Sequence, residues 1–288
     1  FFARRMGVRT ALVNGRISGG SFGRYLRFRP FFRRVLGNFD ALSMIRERDA
    51  ERIRAMGADP RRITVNGNAK FDGVAALPDP RVASRIRQIL NLVDSRPVFI
   101  AGSTREGEEK AVLDAYERML PAHPDMVLIL APRHITRIRE IIPLLTARGL
   151  AFQLRSNIGP SGRDPSARVV VVDTFGELHH LYSVGTIIFC GGSLVPLGGQ
   201  NVLEPAAWGK AVFHGPHMDN FLDAKALLEK ARAGIRVSGP DELAEKALWY
   251  LEHREALDAA GRRARRAVLE NSGAARRHAE VIKRLAAR

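Results

Sequence analysis

The sequence predicts an α/β protein made of parallel sheets with helices on both faces. Three observations lead there. Short apolar runs of strand length alternate with longer amphipathic segments along the whole chain. The pattern changes at Gly, Pro or Asn, which interrupt regular structure. A Pro/Asp stretch, Leu77-Pro78-Asp79-Pro80, divides the alternation into two series and reads as a linker. A strand that returns through a helix pairs in parallel, and a parallel sheet needs both faces covered. Two such series predict two doubly wound domains with a cleft between them.

In the first series, 8–13 (VRTALV), 41–45 (ALSMI) and 62–66 (RITVN) read as strands. Residues 21–37, basic and aromatic, read as a helix, and so do 47–56, ended by Gly57. In the second series the strands are 97–101, 126–131, 169–172, 186–190, 211–214 and 235–237. The helices are 106–120, 134–147, 177–182, 201–209, 219–231, 240–252 and 254–284. The expected domains are 1–78, the remainder of an N-terminal domain, and 79–262. A C-terminal helix, 263–288, is free to cross back to the first.

A chain of 288 residues, 45% hydrophobic, can bury two modest cores. Lys+Arg 46 against Asp+Glu 30 leaves +16, which attracts nucleic acid, an anionic membrane or a phosphorylated ligand. An Arg-rich composition spread over solvated faces gives the same charge. Cys190 is the only cysteine, so an intrachain disulfide is excluded and a reducing compartment fits. It closes the apolar run 185–190 and reads as core. No apolar stretch reaches the roughly 20 residues that span a bilayer. No His/Cys cluster has metal-ligand spacing. The chain opens at Phe1 without Met, inside what reads as a helix end, so a fragment or trimmed product is expected.

Ligands of open α/β sheets lie beyond the carboxyl ends of the strands, so the turns after strands are the candidates. After 97–101 comes Gly102-Ser103-Thr104-Arg105-Glu106-Gly107-Glu108-Glu109. Free N–H groups at this helix start can hold a phosphate or carboxylate. Equally, Ser103 or Thr104 can cap the helix while the glutamates complement its dipole. After 126–131 comes Pro132-Arg133-His134, where Arg133 can grip a phosphate bidentately and His134 is a donor or a plain helix-start residue. After 186–190 lies the densest turn, with Gly191, Gly192, Ser193, Gly198, Gly199, Asn201 and Glu204. Asn201 can cap the next helix, and Glu204 in its first turn can accept ribose hydroxyls. After 169–172, Asp173-Thr174-Phe175-Gly176-Glu177-Leu178 offers backbone to a flat base. No GK[ST] follows the glycines and no GxGxxG follows the first strand, so neither a Walker loop nor NAD binding is indicated.

Taken in order, these stretches resemble the 3-deoxy-D-manno-octulosonic acid (Kdo) transferases of Gram-negative bacteria. The likeness runs through Asn14-Gly15-Arg16-Ile17-Ser18, Gly67-Asn68-Ala69-Lys70-Phe71-Asp72, the Gly102–Glu109 stretch and Pro132-Arg133-His134. It continues through the Asp173–Leu178 stretch, Gly191-Gly192-Ser193-Leu194-Val195-Pro196, Gln200-Asn201-Val202-Leu203-Glu204-Pro205-Ala206-Ala207 and Gly215-Pro216-His217-Met218-Asp219-Asn220-Phe221, so it covers nearly the whole chain. Arg105 stands where the family commonly has His, and Gly15 and Val202 where it has Ala and Pro.

The resemblance implies a GT-B fold of two Rossmann-like domains, here with the N-terminal one truncated. It implies inverting transfer of Kdo from CMP-Kdo to a lipid A precursor (lipid IVA), in lipopolysaccharide core synthesis, with no cofactor and no metal. The place is the cytoplasmic face of the inner membrane, with CMP-Kdo, the lipid A precursor and an anionic membrane surface as partners and no nucleic acid. In the donor site, Glu204 meets ribose, Arg133 and the amides around Gly192 and Ser193 the phosphate, and the Phe175-Gly176 backbone the cytosine. Ser103, Thr104, His134, Gly191 and Asn201 complete it. Arg16 and Lys70 are cleft candidates. The family's membrane-anchoring segment and the Gly-Glu motif that carries its general base are expected upstream of these residues, so this chain alone is expected to bind CMP without transferring Kdo. Arg24, Arg27, Arg29, Arg33 and Arg34, alternating with Phe22, Tyr25, Phe28, Phe31 and Phe32, suit an interfacial surface or a helix packed on its own domain. Two rivals are another GT-B enzyme, such as a UDP-sugar transferase or epimerase, and a basic nucleic-acid-binding protein. Against the latter, aromatics are 7% and no recognition motif is present.

Overall fold

β1 (Ala11–Gly15), β2 (Ala41–Met44) and β3 (Ile63–Val65) form a parallel sheet in the order β1-β2-β3. The computed structural model describes residues 2–76, 78–92 and 96–287. It divides into a small unit, Phe1–Ala76 with Leu269–Arg288, and a large unit, Leu77–Val268.

The small unit's core gathers Leu36, Leu42, Met44, Ala50, Ile53 and Met56 beneath its sheet. The segment 21–37, expected as one helix, is two, Gly19–Arg27 and Arg29–Leu36. Pro30 sits in the first turn of the second, where it has no amide to lose. Continued as one helix, its ring would clash with the carbonyl four residues back, so the chain turns at Phe28. Phe22, Tyr25 and Phe32 pack on the core, while Phe28 and Phe31 are 56% and 63% exposed.

The single helix expected over 254–284 is also two, Arg254–Glu270 and Ala274–Ala286. The break is at Gly273 (φ +83°), a left-handed position that glycine adopts without strain. Asp72 accepts the Gly273 and Ala275 amides and so caps the last helix from across the small unit. That helix packs on β1 and β2. Its buried His278 accepts the Ser43 hydroxyl at Nδ1 (2.6 Å) and donates from Nε2 to the Gly67 carbonyl (3.0 Å).

Among the described residues, two α-helices and one strand were not anticipated. Helix Lys70–Ala75 follows β3, and helix Pro80–Ile89 begins inside the stretch read as a linker. Asp79 caps the latter by accepting the Arg81 amide, with Pro80 at the first helical position, so the Pro/Asp signal marks a helix start. Leu77 lies outside the described residues. The third is β6 (Phe152–Leu154), a short half-buried edge strand.

In the large unit, β4 (Val98–Thr104), β5 (Val127–Pro132), β6, β7 (Val169–Val171), β8 (Ile187–Cys190), β9 (Val212–His214) and β10 (Gly234–Arg236) pair in parallel in the order β10-β9-β8-β4-β5-β7-β6. The order reverses between β4 and β8, the point at which such sheets bind ligands. Alternate residues of β4 enter opposite cores: Phe99 and Ala101 face one, Val98 and Ile100 the other. Both faces are covered, as a parallel sheet requires. The helix expected from 134 starts as a 3-10 turn, Ile135–Arg137, before Ile138–Ala147.

Candidate functional site

β4 and β8 emerge side by side at the reversal, and small residues let their ends touch. A Cβ on Gly191 would stand 2.6 Å from the Ser103 carbonyl oxygen, so only glycine fits there. Ser103 holds a left-handed backbone (φ +56°) where the β4–β5 register shifts between Gly102 and Thr104. A non-glycine residue in that region is strained and is held there by its surroundings.

One carboxylate organises the turns beyond these two strands. Glu108, the first residue of helix Glu108–Met119, is fully buried. It accepts the backbone amides of Arg105 (2.9 Å), Gly192 (2.5 Å), Ser193 (2.8 Å) and Leu194 (2.8 Å). Hydrogen bonds to an ionised acceptor are strong, and here they fasten the turn after β8 to the turn after β4.

In this arrangement, groups expected on the donor have partners within the chain. The Gly192 and Ser193 amides, expected to hold a donor phosphate, are already taken by Glu108. Ser193 is itself fully buried; its hydroxyl donates to the Cys190 carbonyl (2.5 Å) and accepts the Gly215 amide (2.8 Å), tying β8 to the turn after β9. Thr104, also expected on the donor, is fully buried and donates to Glu109 (3.3 Å), which forms a two-point ion pair with Arg137 (2.9 and 3.1 Å). Neither Ser103 nor Thr104 caps the helix; its N-cap is Gly107. Gly191 and Gly192 are buried, so they serve the packing of the turn.

The accessible groups around this scaffold come from neighbouring strand ends. Arg133, just beyond β5, is exposed, and its guanidinium makes no hydrogen bond or ion pair among the described residues. Arg105 donates to His134 Nε2 (3.0 Å), which places the ring proton on Nδ1. Glu204 is half-buried in the first turn of helix Leu203–Ala207. Burial raises its pKa above the usual carboxylate value, while the Asn201 side-chain amide, donating at 2.9 Å, opposes that rise. The Asn201 oxygen accepts the Leu203 amide (3.2 Å), so one side chain starts the helix and aims Glu204. After β7, Phe175 is 84% exposed beside Gly176 (φ +80°). That turn is braced by Glu177, which accepts from Arg155 (2.9 Å) and Thr174 (2.6 Å).

In the small unit, Arg16 directly follows β1, and Lys70 opens the helix after β3; both are exposed at the carboxyl end of that sheet. The Asn14 side-chain oxygen accepts the Ala69 amide (3.0 Å) and joins the two turns. Cys190 is buried, and burial with the nearby Glu204 and Glu108 raises its pKa, so the thiol stays protonated and is core. The sequence reading missed the role of Glu108. Its one sequence signal, a glutamate opening a helix, is what any helix start favours.

The α/β architecture with parallel sheets matches that of GT-B glycosyltransferases. Anabaena HepE, solved with UDP and glucose, shares the fold at TM-score 0.54 and 14% identity over 99% of this chain and 73% of that one. The more particular likeness is to one family. The model of the 3-deoxy-D-manno-octulosonic-acid transferases (kdotransferases) matches residues 2–73. The 3-deoxy-D-manno-octulosonic acid transferase of Bordetella pertussis is 33% identical over 284 residues, 97% of this chain and 64% of that protein. The C-terminal CMP-Kdo binding domain of WaaA from Acinetobacter baumannii superposes with a TM-score of 0.61 at 27% identity, over 65% of this chain and 96% of that one. The chain is similar to Kdo transferases over nearly its whole length. It spans 38% to 64% of the length of the curated relatives it matches.

Proposed function

We propose that the chain serves transfer of Kdo from CMP-Kdo to a lipid A precursor in lipopolysaccharide synthesis, with the donor on the large unit. The observation that carries this reading is the pairing of Asn201 with Glu204 beside the β4–β8 reversal, and the likeness of 65% of the chain to the Acinetobacter CMP-Kdo binding domain supports it. Glu204 accepts the ribose hydroxyls. Arg133 receives the phosphate, and the turn at Phe175-Gly176 lies against the cytosine. Because the Gly192 and Ser193 amides are taken, the phosphate charge falls to Arg133, with Arg105 and His134 beside it. Negative charge grows on CMP as the sugar–phosphate bond breaks, and a guanidinium beside that phosphate stabilises this state more than the ground state. In this reading Arg133 stands in place of a metal ion. Arg16 and Lys70 meet acceptor phosphates or the donor carboxylate. The base that takes the acceptor hydroxyl proton is not assigned to a residue of this chain.

The proposed place of work is the cytoplasmic face of the inner membrane. Support comes from the +16 charge and from Phe28 and Phe31, exposed between Arg24, Arg27, Arg29, Arg33 and Arg34. Calorimetry tests the donor: CMP binds and UDP binds more weakly. Equal or tighter UDP binding would favour a UDP-sugar enzyme on the same fold.

A further inference from the structure

We propose that the amino ends of β8 and β9, at the opposite end of the large sheet from the glycine turn, carry a binding site for a small tetrahedral oxyanion such as sulfate or phosphate. The turns that enter these strands, Gly185-Thr186 and Gly209-Lys210-Ala211, wall a cavity of about 110 Å³. Helix Pro80–Ile89 adds Arg87, and helix Arg254–Glu270 adds Arg254, Leu257 and Asp258. Pockets for larger organic ligands run to roughly 300–1,000 Å³, so the space admits a small ion with a water or two and not a sugar nucleotide.

Lys210 and Arg254 line the cavity with Arg87, and the one carboxylate lining it among the described residues is Asp258. Lys210 and Arg254 form no ion pair or side-chain hydrogen bond among the described residues, with Asp258 or with any other group. Cations held together around a cavity, these two without an internal partner, raise the local potential and favour an anion there. Burial first, then Arg87 and Arg254, pull the Lys210 pKa down to about 8, with Asp258 pulling the other way. A bound oxyanion supplies the missing partner and draws a proton back onto Lys210. The other charged groups facing it are Arg87, Arg254 and Asp258, and the pH dependence is expected from Lys210.

Sulfate is the probe, because its charge does not change between neutral and alkaline pH. Calorimetry with sulfate, at ionic strength held constant with chloride, should show one saturable site per chain and a raised Tm. Saturating CMP should leave that site unaffected, which separates it from the donor site; Arg133→Ala provides the same separation should CMP not bind. Lys210→Met should weaken sulfate by about tenfold to a hundredfold, as expected for loss of a charge-assisted hydrogen bond. Lys210→Arg should retain binding and lose the decline expected of the native chain as pH rises through 8. Absence of saturable sulfate binding in a folded chain overturns the proposal. So does binding that Lys210→Met leaves intact, or binding abolished by CMP or by Arg133→Ala.

Discussion

Glu108 and Ser193, 85 positions apart, meet through a 2.8 Å bond from the Ser193 amide to the buried carboxylate, and Gly192 and Leu194 donate to the same group. The turn after β8 is therefore built around an internal anion. Glu108→Ala leaves these buried amides without an acceptor. We expect a loss of about 3 kcal/mol or more in urea unfolding, since each unsatisfied buried donor costs roughly 1–3 kcal/mol. A loss below 1 kcal/mol, on the order of a surface substitution, would mean that the turn keeps its shape by packing alone.

Glu204 should show opposite effects on stability and binding. Its raised pKa means that the folded chain holds the proton more tightly than the unfolded chain does. The charged form is thus disfavoured by folding, and the penalty is present at neutral pH and vanishes as pH falls below the unfolded value. Glu204→Gln should therefore raise Tm at pH 7, with the gain fading on acidification. The same change should weaken CMP by about 1.5–3 kcal/mol, the worth of a hydrogen bond to a charged group. Unchanged CMP affinity in a folded variant would remove the ribose role.

Lys210 gives a second pH signature, of opposite slope. Its folded pKa is about 8 against an ordinary 10.5, so between these values the unfolded chain binds more protons and stability rises with pH. Lys210→Met should raise Tm at pH 7 in sulfate-free buffer, and the advantage should shrink as pH climbs from 8 toward 10.5. Thermal melts at several pH values decide it; a pH-independent difference would argue against titration of this lysine.

The last helix should detach when its fastenings are cut. His278→Ala removes a buried hydrogen bond to Ser43 and a part-buried one to Gly67, and should cost about 1–3 kcal/mol. Hydrogen exchange should quicken first in Ala274–Ala286. Uniform exchange across the large unit would contradict a local clasp.

At the membrane, the native chain should sediment with anionic vesicles more than with neutral ones, and added salt should release it. Replacing Phe28 and Phe31 together by Ser should weaken that binding and spare the fold, because both rings lie outside the core. Equal binding to both vesicle types would point away from an electrostatic contact.

Much of the fold was legible in sequence because its signals are local. Apolar runs marked most strands of both sheets, and the Asn201–Glu204 spacing marked a helix start with a carboxylate in its first turn. The misses have local causes too. Pro30 split one expected helix, Gly273 another, and β6, half-buried with Gln153 at its centre, presents no continuous apolar run.

By itself the sequence determined the class of elements, their succession and the set of turns rich in glycine and polar residues. Only the tertiary structure decided which turns meet. Strand order placed β8 beside β4 rather than beside β7, its predecessor in the chain, and so put Glu108 within reach of amides 84 to 86 positions away. It also chose between two chemically reasonable uses of those amides, a bound phosphate or the chain's own carboxylate. Propensity and periodicity act over a few neighbouring residues, whereas partner choice for a buried polar group depends on which distant segments the packed sheet brings within about 3 Å.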